Sequence, residues 1–123
     1  MMNYNEPVHS APIVKIRDFL VVTFPKILDD QLLDRAIHQI NERIHRGDIV
    51  RVIVDLTAVS VVDFSDYSAF LRLAYCNRLL GSKTIIVGIQ PGVAGYLSRI
   101  DKKNKSLAYC HSLNEALNRK WAR

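Results

Sequence analysis

The residues best suited to chemistry lie together in the stretch VVDFSD, residues 61–66. Two carboxylates, Asp63 and Asp66, bracket the hydroxyl of Ser65 just before a segment with helical patterning. The first N–H groups of a helix have no internal partners and carry partial positive charge. A phosphoryl group placed there gains hydrogen bonds and a favourable field, and Ser65 and Ser68 would supply hydroxyls beside it. The same spacing also serves structure alone: Asp63 caps the helix and Asp66 returns the bond. On local spacing, capping is the stronger reading.

Other constellations are incomplete. His38 and His45 stand seven apart on one helix face beside Glu42. Seven residues are two turns, roughly 10 Å, too far for one ion without further ligands, so no metal is expected. Asp29, Asp30 and Asp34 resemble a set of paired acids, but favourable charge at a helix N-terminus, with Asp30 as the cap, accounts for them. Asp55 ends an apolar strand, where open α/β sheets tend to bind ligands. With Asp63 and the turn Gln90–Gly92 it outlines a small-ligand pocket. The chain has no GxxxxGK[ST], GxGxxG or GxSxG sequence, which removes the usual support for nucleotide-loop and hydrolase chemistry. No catalytic residue and no cofactor is assigned.

These residues need elements to hold them. PIVKI and FLVVTF are two short β-rich runs separated by Arg17 and Asp18, the pattern of a tight hairpin. Leu33, Ile37, Ile40 and Ile44 recur at helical spacing, with Gly47 as the stop. The continuous run IVRVIVDL reads as an interior parallel strand. Ala69, Leu73, Cys76 and Leu80 form the next helical stripe, ending at Gly81. Val93, Tyr96, Leu97 and Ile100 form a third, and Leu113, Ala116, Leu117 and Trp121 a fourth behind the capping pair Ser112 and Glu115. Strands are expected near 13–16, 19–24, 49–55 and 84–89, with SLAY as a short last one. Helices are expected near 30–46, 65–80, 92–100 and 112–121. Strands alternating with helices give an α/β domain with a mostly parallel, mixed sheet and about four helices. Residues 1–12, polar with Pro7 and Pro12, read as a loose arm before a single domain at 13–123.

The totals agree with one globular domain. The 123 residues are 49% hydrophobic, with no apolar run near the ~20 needed to span a membrane. The N-terminus lacks the basic start and apolar stretch of a signal peptide, so a cytoplasmic location is expected. Cys76 and Cys110 are lone cysteines, read as reduced structural thiols. The net charge of +5 is concentrated late, at Arg99, Lys102, Lys103 and Lys105 and again at Arg119, Lys120 and Arg123. No aromatic–basic reading motif accompanies that patch, so solvated surface is preferred to nucleic-acid binding.

Three stretches in order, LDDQ, VIVDLTAVSVVDFS and LLGSKTIIVGIQPGVA, resemble the STAS domain of anti-sigma factor antagonists, above all the stressosome scaffold and antagonist subtype RsbS. The resemblance spans roughly residues 13–118 and implies a binding module, not an enzyme. It implies docking on a serine kinase or anti-sigma factor of the histidine-kinase-like ATPase type. It also implies contact with other STAS proteins, including copies of itself, in a stressosome-like assembly. The docking face would be the loop and helix opening at the second aspartate: Asp63, Phe64, Ser65 and Asp66, with Arg72 and Asn77 as polar contacts on the helix's exposed side. In the family motif the phosphoacceptor serine directly follows that aspartate. Here Phe64 holds that position and Ser65 is the nearest hydroxyl, while Asp66 replaces the small glycine common two places after the acceptor. Either Ser65 has become the acceptor, or the domain is fixed in its unmodified, partner-binding state; the second is preferred because Asp63 and Asp66 both oppose a phosphate. The runner-up keeps the fold but makes it a small-ligand, nucleotide-type sensor using Asp55, Gln90 and Gly92.

Overall fold

The computed structural model describes residues 10–101 and 107–121. Its elements, in chain order, are β1 (Ile13–Ile16), β2 (Phe19–Thr23), α1 (Asp30–His45), β3 (Arg51–Asp55), α2 (Phe64–Leu79), β4 (Lys83–Val87), α3 (Pro91–Ile100), β5 (Ala108–Cys110) and α4 (Leu113–Asn118). The five strands lie in sequential order, β1 antiparallel to β2 and the rest parallel. The hairpin turns on two residues, with Arg17 at φ 56°, the positive φ that tight hairpin turns require.

Both sheet faces are covered, so β2 and β3 are apolar at every interior position rather than alternating. Leu20, Val22, Val52, Val54 and Ile86 face α1, α2 and α3 in the larger core. Phe19, Val21, Ile53, Ile85 and Val87 form a smaller core with Ala116 of α4. The α1 stripe is buried at Leu33, Ile40 and Ile44 and partly buried at Ile37. Phe24 and Phe70 meet edge-on, with ring centroids 5.6 Å apart, joining β2 to α2.

Several expectations shift. Asp29, not Asp30, caps α1, its carboxylate accepting the Leu32 N–H at 2.8 Å, while Asp30 is the first helical residue. Gly47 and Gly81 do stand at the expected stops, with φ 102° and 90°. The buried stripe of α2 runs through Ala69, Phe70, Leu73 and Asn77, so Cys76 is only half-buried and Leu80 is exposed. α4 ends at Asn118 because Arg119 is extended (φ −74°, ψ 143°), which leaves Trp121 beyond the helix. The indole still joins the smaller core, donates to the Ala116 carbonyl at 2.9 Å, and lies 5.0 Å from the Arg119 guanidinium.

Candidate functional site

The parallel register sets where the polar residues gather. Asp55 closes β3 level with Thr23 of β2 and Val87 of β4. α1 and α2 both start at that end of the sheet and run back along it, so their N-termini are neighbours. The Ser65 hydroxyl donates to Asp30 Oδ1 across them at 3.3 Å.

Asp63 leaves the loop in extended conformation (φ −92°, ψ −178°), and its Oδ1 accepts the Asp66 N–H at 2.8 Å. Asp66 Oδ2 accepts the Asp63 N–H in return at 3.0 Å, completing the reciprocal cap expected from the spacing. Asp66 is therefore buried. Burial pushes its carboxyl above the usual range, with the negative charges of Asp63 and Asp30 adding to the effect and the Asp63 N–H opposing it. Asp66 holds the helix start and offers little surface to a partner. Phe64 is 66% exposed although it is a large apolar side chain, and Val61 in the preceding loop is exposed as well. Ser65 is also exposed, within reach of solvent.

Further along α2, Arg72 reaches Asp34 of α1 at 3.4 Å, and both side chains are largely exposed. Asp30, Leu33, Asp34, Ser65, Ala69 and Arg72 line a cleft of about 210 Å³ between the two helices. Asn77, expected beside Arg72 on the exposed side, lies instead in the core at 0% exposure. The α2 stripe turns it inward, its side-chain amide donates to Thr84 Oγ1 at 2.8 Å, and its backbone carbonyl accepts the N–H of Ser82 at 2.8 Å. It fastens α2 to the start of β4 and cannot meet a partner.

Asp55 and Gln90, expected to outline a pocket with Gly92, meet on Thr57. Asp55 Oδ1 accepts both the N–H and the hydroxyl of Thr57, at 2.9 and 2.5 Å. Gln90 donates to the Thr57 carbonyl at 3.0 Å. Gly88 packs so closely on this loop that a Cβ would overlap Thr57 Oγ1 and lie 3.0 Å from Asp55 Oδ1. These groups tie the loop after β3 to the turn after β4, leaving Gly92 facing open space. The cavity beside that turn, about 310 Å³, is lined by Ile89, Ala94, Leu97, Ser98, Asp101 and Tyr109.

Sequence reasoning missed Asp101. Its two oxygens accept the hydroxyls of Tyr67 at 2.5 Å and Tyr109 at 2.7 Å. Burial, and then the bond to Asp101, pushes the Tyr67 phenol up to about 12. Tyr109 is raised by the same causes. Residues 34 and 8 positions from Asp101 meet there, a separation no local pattern reports. Cys76 and Cys110 are free thiols. His38 bonds its own-helix neighbour Glu42 at 3.3 Å. Lys102, Lys103 and Lys105 lie outside the described residues.

The sequence model of the STAS domain matches residues 10–116. A Ser-to-Glu variant of RsbS from Moorella thermoacetica superposes with TM-score 0.75 at 25% identity, over 88% of this chain and 92% of that one. A chain from a structure described as the molecular architecture of the stressosome, a signal integration and transduction hub, gives TM-score 0.73 at 25% identity, over 87% and 93%. The anti-sigma factor antagonist SpoIIAA in its unphosphorylated form shares the fold, with TM-score 0.71 at 16% identity over 88% and 93%. No curated protein sequence gives a significant match. Among the described residues no helix is long and apolar enough to cross a membrane. The sheet order, the capped helix after β3 and the match along nearly its whole length give one conclusion: the chain belongs to the STAS domain family.

Proposed function

We propose that this domain is a signalling regulator of the anti-sigma factor antagonist type. It acts by binding rather than catalysis and docks a serine kinase or anti-sigma factor of the histidine-kinase-like ATPase type, or other STAS proteins, through the start of α2. The carrying observation is Phe64: a large apolar ring exposed on a helix turn that the Asp63–Asp66 cap holds rigid. An exposed aromatic on a fixed backbone can bury much area on docking with little ordering cost. Arg72, two turns farther along α2 at the cleft with α1, supplies a charged contact on the same helix. A cytoplasmic location belongs to the same reading.

The domain is fixed in its unmodified, binding state. Phe64 occupies the position that carries the serine acceptor in the family motif. Ser65 bonds the Asp30 carboxylate and is flanked in sequence by Asp63 and Asp66, so the −1.5 to −2 charges of a phosphate would face three carboxylates. The test is incubation with a kinase of this class from the same genome plus ATP, read by intact mass, alongside Ser65→Ala and Phe64→Ser. The expected result is no phosphate on the native chain and one gained by Phe64→Ser. Stoichiometric phosphate lost in Ser65→Ala would instead make Ser65 the acceptor. Binding of the same kinase should weaken about tenfold or more in Arg72→Glu with little change in Tm.

A further inference from the structure

The run GVAGYLS gives α3 a face of small side chains. Ala94 and Ser98 stand one turn apart on it, with Leu97 and the C-cap Asp101 at the same helical spacing. Leu97 is buried, whereas Ala94 and Ser98 are exposed and too short to fill the space beside them. A cavity of about 310 Å³ remains between this face and the wall made by Ile89, after β4, and Tyr109 of β5. That volume is at the low end of the roughly 300–1,000 Å³ found for small-molecule sites, and the walls are largely apolar, as such sites require.

The polar atoms on the walls are all acceptors. The Tyr109 hydroxyl has its proton on Asp101 at 2.7 Å, and the Ser98 hydroxyl donates to the Gly95 carbonyl at 2.9 Å. Asp101 takes a second proton donor from outside the cavity, the Tyr67 hydroxyl at 2.5 Å. A carboxylate has about four lone-pair sites, so two stay open after both tyrosines have bonded. Among the described residues lining the cavity, Asp101 is the only charged one, and no side chain there has a hydrogen left to donate. A neutral apolar occupant would leave those lone pairs unmatched, and an anion would be repelled. A cation with N–H donors satisfies both the lone pairs and the charge. The aromatic ring of Tyr109 on the wall favours positive charge further.

We propose that this cavity binds a small organic cation: a protonated amine on an apolar body, its ammonium on Asp101 and its body against Ile89, Ala94, Leu97 and Tyr109. The ammonium enters as a third donor to Asp101, so neither tyrosine bond has to break. The site lies away from the start of α2 and does not rest on the partner reading. Its charge preference is also the opposite of what a nucleotide phosphate needs.

Three probes with the same phenyl body test this: phenethylamine carries a cation, phenethyl alcohol a neutral hydroxyl and phenylacetate an anion. Each is titrated into the whole chain at neutral pH, read by backbone amide shifts in proton–nitrogen NMR spectra. The amine should bind with a Kd of about 1 mM or tighter, the alcohol at least about tenfold more weakly, and phenylacetate not measurably. The shifts should centre on Ile89, residues 94–101 and Tyr109. Ala94→Leu fills the cavity from an exposed helical position, so it should abolish the amine shifts while the circular dichroism spectrum and Tm stay native. Asp101→Asn keeps an oxygen to accept a tyrosine hydroxyl but removes the charge, so it should erase most of the preference for amine over alcohol. Should that variant fail to fold, the three probes and Ala94→Leu decide without it. Equal binding of amine and alcohol, phenylacetate binding as tightly as the amine, amine shifts centred elsewhere, or amine binding unchanged in Ala94→Leu would each overturn the proposal. So would the absence of amine shifts at about 10 mM.

Discussion

Asp63 and Asp66 are a bonded pair in which the two carboxylates do unequal work. Asp63 satisfies a helix N–H that would otherwise be unpaired, so Asp63→Ala is expected to cost about 1 kcal/mol, within the ~0.5–2 kcal/mol range for such caps. Asp66 returns a bond as well but holds its charge in a buried site beside Asp63 and Asp30. Its carboxyl is raised in the fold, so the unfolded chain loses this proton at lower pH than the native one. That contribution to stability is complete below the ordinary carboxyl range and is lost as pH climbs through the raised value. Asp66→Asn keeps an oxygen to accept the Asp63 N–H and removes the charge, so it should leave neutral-pH stability unchanged or higher, while Asp63→Ala lowers it. Urea denaturation of both variants checks the pair; a loss in Asp66→Asn as large as that in Asp63→Ala would mean the charge itself is needed.

Between the residue and the fold stand the turns that join elements, and the one after β4 is the tightest. Gly88 has φ +72° and sits against Thr57 Oγ1, in a loop also clasped by Asp55 and Gln90. An alanine there is strained by its backbone and collides with the threonine. Gly88→Ala is expected to cost roughly 1–3 kcal/mol. Thr57→Ala removes the nearest atom, so the double variant should lose less than the sum of the two single variants, which a double-mutant cycle in urea measures. Strict additivity would place the whole cost in the backbone. The same clasp is why Asp55 and Gln90, which look like ligand groups in the sequence, are already engaged with protein atoms. α2 shows the reverse relation: one helix carries exposed apolar residues at its head, Phe64, and at its tail, Leu79, while its middle is buried.

At the scale of the whole molecule, Asp101 joins α2 to β5 through the hydroxyls of Tyr67 and Tyr109. Tyr67 titrates at about 12 in the fold against its usual 10, and Tyr109 is raised too. Above pH 10 the unfolded chain releases these protons and the native one keeps them, so stability is complete below pH 10 and falls as pH rises to about 12. Tyr67→Phe should be less stable at neutral pH through the lost bond, yet show a shallower loss of stability across that alkaline window. Denaturation curves taken on both sides of pH 10 distinguish the two slopes; parallel slopes would mean that Tyr67 titrates normally.

The order of elements and most of the core were legible in the sequence because they rest on local spacing. A 3.6-residue repeat put Leu33, Ile40 and Ile44 inside, uninterrupted Val and Ile marked β3 as covered on both faces, and the Asp63–Asp66 interval carried a reciprocal cap. The STAS resemblance at VIVDLTAVSVVDFS was readable in the same way. What tertiary structure decided depends on which residues meet across long separations. Helical spacing puts Asn77 four residues after Leu73 on the buried stripe, but only the packed sheet supplies Thr84 of β4 to take its amide. Asp101 gained its role from tyrosines on two other elements, and Asp55 lost its open carboxylate to Thr57 and to the close approach of Gly88. Asp30 and Ser65 meet because parallel strands send the starts of α1 and α2 to one end of the sheet. Local spacing along a chain sets the elements, while the partners of a buried polar group, and the helix starts that stand side by side, exist only once those elements pack.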